Sequence, residues 1–165
     1  TPQAKLMKPE DIVLTLNNIF TEFDTLAQRF GLEKIKTIGD SYFAVSGLNG
    51  EKSRSAINTI FFGIEILKSI KIINKSNNLM DLQLRVGIHS GPAVSGVIGK
   101  KKFAFDIWGS AINFANRLET TCPKGKIHIS EETKKLIENE KRFNIEPLKK
   151  VDIKGIGEVQ TFTVS

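Results

Sequence analysis

Apolar positions recur every three or four residues through "PEDIVLTLNNIFTEFDTLAQRF": Ile12/Val13, Leu16, Ile19/Phe20, Phe23, Leu26/Ala27 and Phe30. That spacing predicts an amphipathic helix of about six turns. Pro9, with Glu10 and Asp11 behind it, suits the helix start, and Gly31 suits its end. The pattern then changes. "KIKTI", residues 34–38, is rich in β-branched residues, Gly39-Asp40 can turn the chain, and "SYFAVS", residues 41–46, resumes as a strand. A two-residue loop leaves the Asp40 carboxylate at the tip of this hairpin. Aspartate is a common turn residue, so a turn-forming role and a cation-binding role both stay open.

A second long helix is predicted over "EKSRSAINTIFFGIEILKSIKIINKSNN", with Ala56, Ile60, Gly63/Ile64, Leu67 and Ile70 on one face. "LQLRVGIHSGPAVSGVIG" reads as strand, with Leu82, Leu84, Val86 and Ile88 alternating until Gly91-Pro92 interrupts. "KKKFAFDIWG" extends it as a ribbon. "SAINFANRLETT" is predicted helical with Ile112, Ala115 and Leu118 inward. "KIHIS" is a short strand, Ser130 can cap the helix "EETKKLIEN", and two strands around Gly155 and Gly157 close the chain. The order α-β-β-α-β-β-α-β-α-β-β predicts an α+β fold, helices packed on a mostly antiparallel sheet. One domain is expected over residues 9–165, preceded by a tail over 1–8.

Composition narrows the class without choosing a function. The 165 residues suffice for one domain with a sizeable core, and 40% hydrophobic with 25% charged residues is ordinary for a globular chain. No apolar run approaches the roughly 18 residues of a membrane span. No signal-peptide pattern opens the chain, so a cytoplasmic location and no membrane contact by this segment are expected. The lone Cys122 excludes an internal disulfide and fits a reducing compartment. With no base beside it, Cys122 is not expected to be a nucleophile. The net charge of +6 permits an anionic ligand such as a nucleotide, nucleic acid or lipid surface.

A few polar groups stand where a plain core or turn would not require them. Asp106 lies inside the apolar ribbon "FAFDIWG", either on the solvent face of an edge strand or as a positioned acceptor. Asn113 and Arg117 are four apart on one helix and share a face. Arg117 can be a solvated charge, or it can present planar donors to a phosphate. Lys154, in "DIKGIG", is either an ordinary turn lysine or a phosphate contact beside close-approaching glycine backbone. Together these supply what nucleotide chemistry needs: a carboxylate for a metal, cations for phosphates and a neutral side chain for a sugar. Neither a P-loop nor a Gly-x-Gly-x-x-Gly fingerprint is present, and no hydrolase signature surrounds His89.

The motifs "EKIKTIGDSYFAVSGL", "LRVGIHSGPAVSGVIGKKKFAFDIWGSAINFANRLE", "GKIHIS" and "DIKGIGEVQTF" resemble, in order, the catalytic domain of class III nucleotidyl cyclases. The resemblance runs from about Pro9 to the C-terminus. It implies a ferredoxin-like βαββαβ core and a head-to-tail homodimer with sites between the chains. It implies that Asp40 is a metal ligand for Mg2+ or Mn2+, two ions per site. Lys36 and Asp106 would read the purine of ATP, since guanylate cyclases of the family typically carry Glu and Cys there. Asn113 would orient the ribose, Arg117 would stabilise charge at the α-phosphate, and Lys154 would hold the terminal phosphates. The implied reaction makes cyclic AMP and pyrophosphate, by attack of the ribose 3′-OH on the α-phosphorus.

One departure from the family pattern matters. A strand motif like "FADIVGFT", which carries the first metal aspartate before the first helix, has no counterpart, and Asp11 in the helix start does not replace it. The chain is therefore expected to be a truncated piece of a longer cyclase, lacking the first strand and weakly active or inactive alone. The alternatives are a guanylate cyclase or a non-catalytic regulatory subunit. A nucleic-acid-binding ferredoxin-like domain is disfavoured, because the Arg/Lys-Gly-Phe-x-Phe signature of base-stacking sheets is absent.

Overall fold

The computed structural model describes residues 8–76, 81–99 and 104–165. Helix α1 (Pro9–Phe30) leads into the hairpin of β1 (Glu33–Ile38) and β2 (Ser41–Val45). Helix α2 (Lys52–Ser76) is followed by β3 (Val86–Ile88), β4 (Val94–Ile98) and β5 (Ala104–Trp108). Then come α3 (Ser110–Thr121), β6 (Ile127–Ser130), α4 (Glu131–Ile137), β7 (Ile145–Ile153) and β8 (Gly157–Val164). Residues 1–7 of the expected tail lie outside the described residues, and Lys8 is the extended residue that precedes α1.

The termini of the helices follow their sequence signals. Gly31 ends α1 with φ 71°, and the Leu32 N–H reaches back to the Ala27 carbonyl at 2.8 Å, satisfying a carbonyl the helix would leave open. Ser130 caps α4, its hydroxyl accepting from the Thr133 N–H at 3.3 Å.

The fold is α+β with mainly antiparallel pairing, as expected. Strands β3-β6-β8-β7 form a four-stranded sheet in which only β3 and β6 run parallel. The β1–β2 and β4–β5 hairpins are separate two-stranded pieces. Among the described residues the outer edges of β2 and β3 have no strand partner. Side chains still join the pieces. Phe23 and Leu26 of α1, Phe62 and Ile66 of α2, Tyr42 of β2 and Leu84 before β3 share one apolar cluster. A second cluster seats Ile60 of α2 on Ile127 and Ile129 of β6 and Phe162 of β8. Helix α2 is thus buried on two sides, more than its predicted single face.

Three expectations need correction. The stripe of α1 is buried only from Ile19 onward, and Val13 is 67% exposed, because the described core does not reach the first turns. The long run from Leu82 is not one strand. Leu82 and Leu84 precede β3, and Gly91-Pro92 separates β3 from β4, which joins a different sheet. In α3 the buried residues are Phe114 and Leu118, while Ile112 and Ala115 are only half-buried.

His128 on β6 is fully buried, with Nδ1 2.9 Å from the Leu118 carbonyl and Nε2 without a partner among the described residues. Burial pushes its pKa below the usual histidine value, the Leu118 hydrogen bond opposing this and the Lys149 charge adding to it. A histidine with a depressed folded pKa binds its proton more readily when unfolded. Stability is therefore retained above about pH 6.5 and lost as pH falls below it. The urea midpoint is expected to drop between pH 7.5 and pH 5.5, the unfolding free energy falling by up to about 1.4 kcal/mol for a histidine that stays neutral. An unchanged midpoint would show that His128 accepts a proton in the folded state.

Candidate functional site

The hairpin carries Lys36 and Asp40, and its local geometry decides where each points. Strict alternation would put Lys34 and Lys36 on one face. The register instead pairs Lys34 with Ala44 and Lys36 with Phe43, with a bulge at Ile35 between them. One extra residue on β1 sends the two lysines to opposite faces. Lys34 turns toward α1, where its Nζ lies 2.8 Å from Asp24. Lys36 turns toward β5.

There Lys36 Nζ meets Asp106 Oδ2 at 2.5 Å, a contact across 70 positions of sequence. The Ile107 N–H donates to the other carboxylate oxygen at 2.8 Å. The Lys36 hydrogen bond first, and the Ile107 N–H second, hold the Asp106 carboxyl below the usual carboxylate range. Asp106 is thus an ionised acceptor next to a pure donor. On the β4–β5 ladder Gly96 stands opposite Asp106, so no side chain rises there from the neighbouring strand position. The two residues expected to read one base are brought together.

Helix α3 begins two residues after β5 ends, with Asn113 and Arg117 exposed one turn apart. Arg117 Nε donates to the Asp152 carbonyl on β7 at 3.2 Å, and its terminal nitrogens take no partner among the described residues. Asp152 precedes by two residues the exposed Lys154, which opens the β7–β8 turn. A guanidinium and an ammonium therefore stand near the same end of β7, with the asparagine one helical turn away.

Sequence reasoning missed what seats α3. A Cβ on Gly87 of β3 would lie 2.3 Å from Glu119 N and 2.4 Å from the Ala115 oxygen, so α3 backbone rests directly on this glycine. Arg85 Nε binds Glu119 at 2.9 Å beside it. His89, after β3, stacks flat on Phe114 at 4.1 Å and contacts Ser130 at 2.9 Å, tying α3 to the start of α4. The clue available in the sequence was a glycine inside a strand, which marks close backbone approach.

Asp40 makes no hydrogen bond or ion pair with these groups among the described residues. It is exposed on the turn after Gly39, whose φ of 60° suits the first position of a two-residue hairpin loop. No group of three His, Cys, Asp or Glu able to hold a metal ion exists among the described residues. Asp40 offers one carboxylate, so these residues do not by themselves make a two-ion site. Asp11 lies in the first turn of α1, as expected, and brings no second carboxylate to it. Cys122 is buried at the end of α3, and burial pushes its thiol up to about 11, which leaves it unreactive. No helix among the described residues is long and apolar enough to cross a membrane.

Comparison with known proteins supports the same family. The model of the adenylate and guanylate cyclase catalytic domain matches residues 2–165. A membrane guanylyl cyclase of Dictyostelium discoideum is 37% identical over 89% of this chain, which spans 10% of that protein. A germination-specific adenylate cyclase of the same organism is 36% identical over 96% of this chain, which spans 19% of its length. Among solved structures, the catalytic core of a rhodopsin-guanylyl cyclase with converted specificity, in complex with ATPαS, superposes with a TM-score of 0.85. It is 32% identical, covering 98% of this chain and 86% of that one. A dimeric guanylyl cyclase domain of the RhoGC fusion protein from Blastocladiella emersonii gives a TM-score of 0.83 at 30% identity. That match covers 97% of this chain and 86% of the other. The chain belongs to the class III family of adenylate and guanylate cyclase catalytic domains.

Proposed function

We propose that this domain is an adenylate cyclase catalytic domain, converting ATP to 3′,5′-cyclic AMP and pyrophosphate. The observation that carries the choice of ATP is the contact of Lys36 with Asp106 at 2.5 Å. Adenine presents a ring-nitrogen acceptor and an exocyclic amine donor. Lysine can only donate and ionised aspartate can only accept, so the pair complements adenine. Guanine offers the reverse pattern along that edge, and the aspartate would then meet a carbonyl. The relatives act on both nucleotides by name, so the test is which one this domain cyclises when ATP and GTP compete.

In this reading Asn113 orients the ribose and Arg117 donates where charge grows on the α-phosphate. Lys154 neutralises the terminal phosphates as pyrophosphate leaves. Fixed donors aimed at developing charge need no reorganisation during the reaction, which is the main source of rate in such sites. Mg2+ or Mn2+, two ions per site, remains part of the proposal with Asp40 as one ligand. Asp40 alone does not complete that site among the described residues, and the second reading is a regulatory subunit that binds nucleotide without turnover.

The working unit proposed is a head-to-tail homodimer. A dimeric guanylyl cyclase domain among the similar solved structures supports this reading. The β4–β5 hairpin also exposes Val94, Val97, Ile98 and Trp108, apolar surface that a second copy would cover. Nucleic acid and membrane are not proposed as partners.

A further inference from the structure

The hairpin is gripped from α1 by one carboxylate. Asp24 Oδ2 binds Lys34 Nζ at 2.8 Å, and Asp24 Oδ1 accepts from the Tyr42 hydroxyl at 2.8 Å. Lys34 is on β1 and Tyr42 on β2, so each oxygen holds a different strand. Lys34 Nζ also sits 5.4 Å from the centre of the Tyr42 ring, which closes a triangle of charge, hydroxyl and aromatic face. The Tyr42 ring packs edge-on to Phe23 at 5.5 Å and lies 5.7 Å from Phe20, both on α1. Burial first, then the hydrogen bond and charge of Asp24, push the Tyr42 hydroxyl above its usual pKa, so it remains a donor.

The two gripped residues flank the working ones. Lys34 is two residues before Lys36 across the bulge, and Tyr42 is two residues after Asp40. A bulge is a bend point, and fixing the residue before it fixes the direction in which the strand leaves it. A tilt of the hairpin about α1 would move Lys36 away from Asp106 and swing Asp40 at the tip.

We propose that Asp24 is a positioning residue for nucleotide selection and turnover, setting the tilt of the hairpin so that Lys36 meets Asp106 and Asp40 meets its ligand. This rests on the cyclase reading for its kinetic consequences, but the tilt is a property of the chain itself. A purely structural ion pair, exposed as this one is, would contribute little to stability and would not discriminate between nucleotides.

Asp24→Asn removes the charge that holds Lys34 and keeps the side chain's size, while Tyr42→Phe removes only the hydroxyl and keeps the ring stack. Both are tested in the longest natural chain that contains these residues. Each is expected to raise KM for ATP at least fivefold and to lower the preference for ATP over GTP at least tenfold. The double variant should be no worse than Asp24→Asn alone, because both act through one carboxylate.

The tilt is read separately by double electron–electron resonance between spin labels at Ser41→Cys and Asn116→Cys. Cys122 stays unlabelled because it is buried. The distance distribution should broaden or shift in Asp24→Asn. An unchanged distribution overturns the proposal whatever the kinetics, and so does a changed one with unaltered KM and nucleotide preference. If the parent chain turns over neither nucleotide, the cyclase reading and the kinetic half fall together, and the resonance measurement alone decides whether Asp24 sets the tilt.

Discussion

Replacing Arg117 by alanine is expected to lower turnover at least a hundredfold while leaving the melting temperature nearly unchanged. The side chain is exposed, and its one structural bond, to the Asp152 carbonyl, is of the kind that contributes about 0.5–1.5 kcal/mol. In the proposed reaction its value lies in the terminal nitrogens, which no other described group occupies. Single donors aimed at developing negative charge are worth about 3–4 kcal/mol, hence the hundredfold or greater loss. The measure is kcat, with thermal unfolding as the control. Lysine at this position should not restore the rate, since an ammonium lacks the planar fork that spans two phosphate oxygens. A kcat within threefold of the parent would remove Arg117 from the reaction.

Gly87→Ala is expected to damage the same site from behind. The new methyl would lie 2.3 Å from Glu119 N and 2.8 Å from its Cα, all helix backbone that cannot rotate aside. Helix α3 must retreat by roughly 1 Å, which in a close-packed interior costs about 1–3 kcal/mol. The retreat carries Asn113 and Arg117 with it, and a misplacement of that size lowers rate by about a hundredfold. Thermal unfolding and kcat should therefore both fall, unlike the Arg117 variant, where only kcat does. Alanine tolerated at Gly87 without loss in either would mean that α3 is not held against β3.

These two residues show what was legible in sequence. Arg117 could be singled out as a candidate from its i, i+4 partner and its motif. Helices α1 to α4 and the hairpin followed from periodicity, since a helix stripe and a Gly-containing turn are local properties. The role of Gly87 was hidden because its partner, α3, packs on it from about thirty residues away. The bulge at Ile35 was hidden for a different reason. Alternation assumes one residue per rung, and "KIKTI" gives no sign that two residues share one. The split of the run after Leu82 into β3 and β4 was signalled by Gly91-Pro92, but not that the pieces would join different sheets. Val13 carried the right period and still lies exposed, because periodicity reports a face and not what covers it. Lys36 and Asp106, 70 positions apart, could be paired beforehand only through resemblance, and the fold then set them in contact.

The central claim is that Lys36 and Asp106 select adenine. The direct measurement supplies equimolar ATP and GTP to the longest natural chain that contains these residues and quantifies both cyclic products by mass spectrometry. The parent should make at least tenfold more cyclic AMP than cyclic GMP. Lys36→Glu combined with Asp106→Cys should reverse that ratio while the chain remains folded. Cyclic GMP as the main product of the parent, or a ratio unmoved by the double substitution, would contradict it.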